Sequence, residues 1–384
     1  MRKTNQEIEE LCAKLKVDRL WSWSRMNCVH NSLYEYYLKH ILHIKPDKNN
    51  SIYKVTGGMS HDIIERFYSD EITYHQMISE FEDVWLTAFT ISELKFDRLD
   101  EDKNKRIADK YYYDLSSFFR THKRIPYTVI LEQFVTAKVG EEYFQGYIDC
   151  CFKDDDGNYV ILDWKTSSIY QGEKANNECG QLVLYSIALN QKGIPFENIK
   201  IGWNFLKYYS VTVEAKNGNK KVRNIERCEL GDKLQASAKT WLKHFGYETE
   251  MIDYLTKLLE TNDISVLPEE VQKKFELNDC IVYVPLTNEL IQYWEKYIID
   301  TTKLIRAKEK EYAETLDESI WFEDEESVKK QSYYFANLCD YSSNLHKPYK
   351  LYLDKLEAEK NGNIFGSQQN TDSNEYSLDW LKNL

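Results

Sequence analysis

A chain of 384 residues with 42% apolar and 14% aromatic side chains has enough apolar surface for one large packed domain or two modest ones. Its 63 acidic against 50 basic residues leave a formal net charge of -13, the wrong sign for a protein that coats nucleic acid with its whole surface. There is no apolar run of about eighteen residues and no apolar stretch behind the charged MRKTNQEIEELCAKLK, so neither a membrane span nor a signal peptide is expected, and a cytoplasmic location is.

Apolar residues recur at three and four spacing through residues 5–45 and 58–122, as in LYEYYLKHIL and HDIIERFYSDEITYHQMISEFEDVW, which predicts a helical N-terminal region over residues 1–125. At Tyr127 the period changes to two. YTVILEQFVTAKV, EYFQGYIDCCFKD and NYVILDWKTS read as strands, the last two joined by the turn DDDGN, so the segment 126–230 opens as an antiparallel meander. EKANNECGQLVLYSIALNQKG has helical spacing and stops at Gly193-Ile194-Pro195. NIKIGWNFLKYYSVTVEAK returns to strand and turns at NGN into KKVRNIERCEL. From 231 to 365 the pattern reads as helical, including the long amphipathic NELIQYWEKYIIDTTKLIRAKEKEYAETL. The polar, Asn- and Ser-rich stretch that begins at NGNIFG and occupies 366–384 reads as a tail, with LDWLKNL as a last docking turn. Basic clusters at 103–110, 120–124 and 220–227 are read as solvated faces. The order of elements predicts an α/β fold, a mixed core wrapped in helical additions.

The chemistry concentrates in GYIDCCFKDDDGNYVILDWKTS. Residues two apart share a face of a strand, so Asp163 and Lys165 project together while Trp164 faces the other way. Asp149, fourteen positions before Asp163, is expected at the end of the first strand and is brought to Asp163 by the turn. YVIL is a continuous apolar run, the mark of a strand buried on both faces, and a carboxylate ending such a strand is costly unless a cation or hydrogen bonds compensate it. Two carboxylates meeting beside a lysine suit a divalent cation and a positioned water, although an edge salt bridge between Asp163 and Lys165 also fits the bare D-x-K pattern.

Asp149, a hairpin and then Asp163-Trp164-Lys165 resemble the core of the PD-(D/E)xK nucleases, in particular the RecB-like branch of helicase-linked exonucleases and CRISPR adaptation nucleases. Three flanking stretches resemble that branch as well: GGMSHDIIERF with His61, GQLVLYSIAL with Gln181 and Tyr185, and the opening WSWSRMNCVHNSLYEYYLKHI. The likeness covers roughly residues 20 to 210. It implies a restriction-endonuclease-like mixed central sheet flanked by helices, with the nuclease core over 126–230. It further implies His61, Asp149, Asp163 and the Trp164 carbonyl as metal ligands, with Asp149, Asp163 and Lys165 as the catalytic set. Gln181 and Tyr185 would face the substrate, and Glu132 in VILEQFV would meet Lys165 or a metal-bound water. For His61 a place on an ordinary amphipathic helix, for Tyr185 a place in the core and for Glu132 a plain strand-edge charge remain open from the residues alone.

An imidazole beside carboxylates suits Mn²⁺ better than Mg²⁺, which prefers oxygen throughout, so either ion is expected with manganese favoured. Many relatives in that branch hold a four-iron cluster on one early and three late cysteines. Here Cys28 is followed late in the chain by Cys339 alone, and there is no C-x-x-C, so no iron-sulfur cluster is expected. The implied activity is a metal-dependent deoxyribonuclease acting in DNA repair or recombination on single-stranded DNA or duplex ends, exonuclease ahead of endonuclease. No G-x-x-x-x-G-K-[ST] is present, so a motor would come from a separate helicase or recombination protein. The alternatives are a silent DNA-binding scaffold of the same fold and a structure-specific endonuclease.

Overall fold

A computed structural model of the chain describes residues 2–48 and 51–366. Its centre is a seven-stranded mixed sheet: β1 (Trp21–Ser22), β2 (Ile130–Val139), β3 (Glu142–Lys153), β4 (Tyr159–Lys165), β5 (Ile199–Glu214), β6 (Lys220–Glu226) and β7 (Phe275–Val284). β2, β3 and β4 form the expected antiparallel meander. Its second turn is made by Asp154, whose carboxylate accepts from the Asn158 amide at 2.8 Å, with Gly157 at φ 84°. The acidic DDD is therefore turn chemistry. β4 runs parallel to β5, joined through the helix Gly180–Gln191, and β6 and β7 both lie antiparallel to β5.

Helices cover both faces, as a restriction-endonuclease-like sheet requires. Ile161, Trp203 and Phe205 point into a core shared with the helices Gly180–Gln191 and Asn288–Thr315. Cys150, Leu162 and Trp164 point into the opposite core under the helices Ile52–Tyr68, Tyr74–Leu86 and Glu101–Thr121. The helix Gly180–Gln191 is buried along nearly its whole length, so its apolar surface has no solvent side. A Cβ at Gly180 would collide with the rings of Trp23 and Trp294, which close over its start. A third, smaller core joins the far half of β5 to β6, β7 and the helices Leu230–His244 and Met251–Thr261.

Three features depart from the sequence reading. β7 lies in the stretch expected to be helical: FELNDCIVYV is a ten-residue strand flanked by helix formers, and its pairing with β5 decides its state. β1 is only two residues long, too short for any periodicity to reveal. The last described helix, Lys347–Gly366, continues through NGNIFG, while LDWLKNL lies outside the described residues. None of the described helices is long and apolar enough to cross a membrane.

Between Asn204↔Ile281 and Tyr209↔Asp279 the β5–β7 register slips, leaving residues 205–208 opposite Cys280 alone. A buried knot holds this bulge. The fully buried Arg227 donates to the Leu206 carbonyl at 2.8 Å and to Asp279 at 3.0 Å, and its guanidinium lies 3.8 Å from the Tyr209 ring centre. His122 Nδ1 meets the other Asp279 oxygen at 2.7 Å. Burial pushes the Asp279 carboxyl up, but His122 and Arg227 outweigh it and hold the group below the usual carboxylate range. Removing one partner of such a pair leaves an uncompensated buried charge. Arg227→Met is therefore expected to cost about 3 kcal/mol or more of unfolding free energy, read from the denaturant midpoint. A loss below about 0.5 kcal/mol, the scale of a surface pair, would show that the knot does not hold the bulge.

Candidate active site

The site forms where the sheet comes apart. On one edge of β3, β4 pairs only from Cys150 to Lys153, and β1 takes the same edge at Phe144 and Gln145. The backbone between them has no strand neighbour on that side, and Asp149 lies there, inside β3 rather than at its end. The expected Asp149–Asp163 ladder pair is one step past the last one formed, Cys150↔Leu162. Instead of that pair, the Asp149 carboxylate reaches across and accepts from the Trp164 amide at 3.4 Å. On the other edge, Glu132 drops out of the β2–β3 pairing between Leu131 and Gln133 and takes φ 47°, a left-handed conformation costly for a residue with a Cβ.

β4 delivers three groups. Trp164 is buried in the helical core beside Tyr68 and His122, which fixes the strand's rotation. Asp163 is buried on the opposite face, and Lys165 Nζ lies 2.8 Å from its Oδ2, which has no other partner. Burial pulls the Lys165 ammonium down, yet the Asp163 carboxylate outweighs it and raises the group above its ordinary value, so Lys165 is a cation at neutral pH.

His61 comes from the helix Ile52–Tyr68, which buries Met59, Ile63, Ile64 and Phe67 and leaves the imidazole half-exposed over the end of β4. Its Nε2 lies 2.9 Å from the Trp164 carbonyl oxygen. A carbonyl can only accept, so Nε2 carries the proton. Burial lowers the imidazole's affinity for a second proton, which leaves Nδ1 a bare lone pair. That lone pair stands 3.4 Å from Asp149 Oδ2. Burial, then the nearby Asp163 charge, pushes the Asp149 carboxyl well above its ordinary value. A lone pair facing a carboxylate oxygen needs a proton or a metal cation between them.

Of the remaining sequence candidates, Tyr185 lies at the same place: its hydroxyl accepts from Gln181 Nε2 at 2.9 Å, and burial raises it to about 12, with Asp149 and Asp163 adding to the shift. A Cβ on Gly146 would lie 2.5 Å from the Tyr185 ring, so this glycine of GYID lets the ring lie flat on β3. Gln181 reaches the group only through Tyr185. Of the partners expected for Glu132, Lys165 is not bonded to it among the described residues; its carboxylate accepts from Arg2 Nε at 2.9 Å. Arg2, placed by the hydrogen bond from the Lys3 amide to the Tyr147 hydroxyl, and Tyr170, whose hydroxyl is pushed up in pKa by burial while Ser167 and the nearby Lys165 pull it back, were not foreseen. Neither has a periodic or spacing signal. Only the position of Tyr170, five residues after Lys165, could have drawn notice.

A second cluster gathers at Asp114, Glu226 and Cys228, and among the described residues it is this trio, not His61, Asp149 and Asp163, whose ligand atoms all fall within 4.8 Å of one another. Its Glu226 is already compensated. Lys207 Nζ lies 3.2 Å and Lys110 Nζ 3.8 Å from Glu226, and burial raises the Cys228 thiol well above its ordinary value, away from the thiolate a metal needs.

A family model described as the PD-(D/E)XK nuclease superfamily matches residues 20–261, well over half of the chain. No protein in the curated set matches it.

Asp114 offers a test of the second cluster. Burial, then Glu226, raises its carboxyl to about 7, and its Oδ2 has no hydrogen-bond partner among the described residues. The folded state thus binds this proton more tightly than the unfolded one. The resulting stability is fully present below about pH 4 and is lost as pH rises through about 7. Asp114→Asn keeps the acceptor for the Cys228 amide and removes the titration. The variant should therefore gain on the wild type across that window by a few kcal/mol at most, measured as the difference in denaturant midpoints at pH 4 and pH 8. Parallel pH profiles would refute the assignment.

Proposed function

The chain belongs to the PD-(D/E)XK nuclease superfamily, whose members are generally metal-dependent nucleases, and we propose that it is a deoxyribonuclease of the RecB-like branch that hydrolyses DNA from its ends. The observation that carries this reading is the bare His61 Nδ1 facing Asp149 Oδ2 at 3.4 Å, beside the buried Asp163. Nitrogen and two carboxylates are donor types that a divalent cation takes; their ligand atoms do not all lie within 4.8 Å of one another, so an ion would have to draw them together, and the Trp164 carbonyl, bonded to Nε2 on the far side of the ring, would join them only if the imidazole turned. Such an ion would also relieve the repulsion that raises Asp149. The imidazole favours Mn²⁺ over Mg²⁺. When bound, the ion supplies Lewis-acid polarisation of the phosphate and of an attacking water.

The protein's own groups divide the remaining work. Lys165, charged and fixed by β4, stabilises negative charge growing on the phosphate; because it keeps its proton at neutral pH it does not act as the base. Asp163 holds that ammonium in place. Tyr185, backed by Gln181, presents a hydroxyl beside the carboxylates for a substrate oxygen. The order His61, Asp149, Asp163-Lys165, Gln181-Tyr185 along the chain is what favours the RecB-like branch.

With end-labelled single-stranded and duplex DNA, cleavage is expected with Mn²⁺, more slowly with Mg²⁺, and not with a chelator. Lys165→Ala should reduce the rate by about 10²- to 10³-fold while DNA affinity stays within about twofold. Asp149→Asn should abolish the rise in melting temperature that Mn²⁺ gives the wild type. Closed circular single strands should resist cutting. Cleavage of circles would replace the exonuclease with an endonuclease, and retained binding without metal-dependent cleavage would leave a silent DNA-binding protein.

A further inference from the structure

Beside the catalytic residues the chain leaves a cavity of 610 Å³, within the range of sites that enclose a small molecule and too small for a duplex. It begins where β4 ends: Ser167 and Ser168 line it directly after Lys165-Thr166, and Tyr170 follows, its ring packed edge-on against Trp203 and Phe205 at 5.1 and 5.2 Å. Its aromatic side chains are four tyrosines, each with a stacking face and a hydroxyl. Three lysines and two glutamates complete its charged lining, a net positive mouth on a chain of net charge -13.

One of these lysines is placed in a way a solvated face does not explain. Lys207 sits in the β5 bulge, which turns it out of the strand's alternation into the cavity wall. It is only 4% exposed, and a buried ammonium is costly. Its compensation is partial: Glu226 at 3.2 Å, shared with Lys110, and the Tyr111 ring at 4.0 Å. Lys174 is exposed at the rim, 5.2 Å from the Tyr170 ring centre, with no carboxylate oxygen within 4.0 Å among the described residues.

We propose that this cavity seats one unpaired nucleotide next to the scissile phosphate, its base against Tyr170 and Tyr333 and its phosphate between Lys174 and Lys207, so that the enzyme selects single-stranded DNA. The proposal rests on the nuclease reading and deepens it. Aromatic stacking tolerates every base, whereas a paired base is not free to enter. A duplex must first give up a terminal pair.

The test uses the whole chain in chelator, where nothing is cut, and a fluorescein-labelled single-stranded 12-mer against a blunt hairpin of the same sequence. The wild type should bind the single strand at least 10-fold more tightly than the hairpin. Lys174→Glu and Tyr333→Leu should each weaken single-strand binding about 5- to 10-fold, while the same charge reversal at the exposed Lys303 should not. 2-Aminopurine moved along the strand should be quenched at one position and recover in Tyr333→Leu. Equal affinity for hairpin and single strand, or unchanged binding in both cavity variants while the wild type still cuts with Mn²⁺, would overturn the cavity's role alone. Absence of both binding and Mn²⁺-dependent cutting in the wild type would overturn the nuclease reading with it.

Discussion

Two aspartates and one lysine share a nearly enclosed space, and their charge balance accounts for the local backbone. Asp163 and Lys165 neutralise each other along one strand at 2.8 Å, which leaves Asp149 as the carboxylate without a cation. Its carboxylate accepts from the Trp164 amide, feels the Lys165 charge without pairing to it, and faces the unprotonated side of His61. A continuous β3–β4 ladder at this step would have satisfied the backbone and removed the space between the carboxylates. The sheet opens there instead, with β1 holding the edge of β3 below the opening and the left-handed Glu132 marking the strain on the edge above. Strain and repulsion gathered at one point, inside an otherwise well-paired sheet, are what a site that binds a cation requires.

The opening is tolerable because everything around it is fixed. Trp164 anchors β4 from the face opposite Asp163, so the side chains before and after it cannot rotate away from the site. Tyr185 lies flat on Gly146, possible only without a Cβ there, and this sets the height of the helix Gly180–Gln191 over β3. On β5 the Arg227–Asp279–His122 knot holds a bulge that aims Lys207 into the cavity. His122 also packs against Trp164, so the knot and the catalytic strand share one wall of the core.

What was legible in the sequence follows from the range of the forces involved. The meander, its DDDGN turn and the shared face of Asp163 and Lys165 depend on neighbours within about twenty residues, and period and turn chemistry carry that information. The approach of His61 to the Trp164 carbonyl was not legible in its helix, whose residues fit an ordinary amphipathic helix equally well, because tertiary packing makes that contact. β7 was misread as helix because its strand state comes from pairing with β5 some seventy residues away, and β1 because two residues hold no period. The pairing of Glu132 with Arg2 spans 130 residues, and no local pattern carries it.

The overall charge bears on how such a site captures its substrate. A chain of net charge -13 repels the phosphate backbone over the range that salt leaves unscreened, a Debye length of about 8 Å at physiological ionic strength, so its overall field does not steer DNA to the site. Under the nuclease proposal, attraction would then be short-ranged, from Lys165, a cation between His61 and the two aspartates, and the lysines of the adjoining cavity. Stacking on tyrosine is insensitive to salt, whereas phosphate contacts release counterions and weaken as salt rises. An enzyme built this way gains little along the length of a duplex, where only phosphates are offered. It gains most where a strand is already unpaired and a base can leave the stack, which is the condition met at a frayed end.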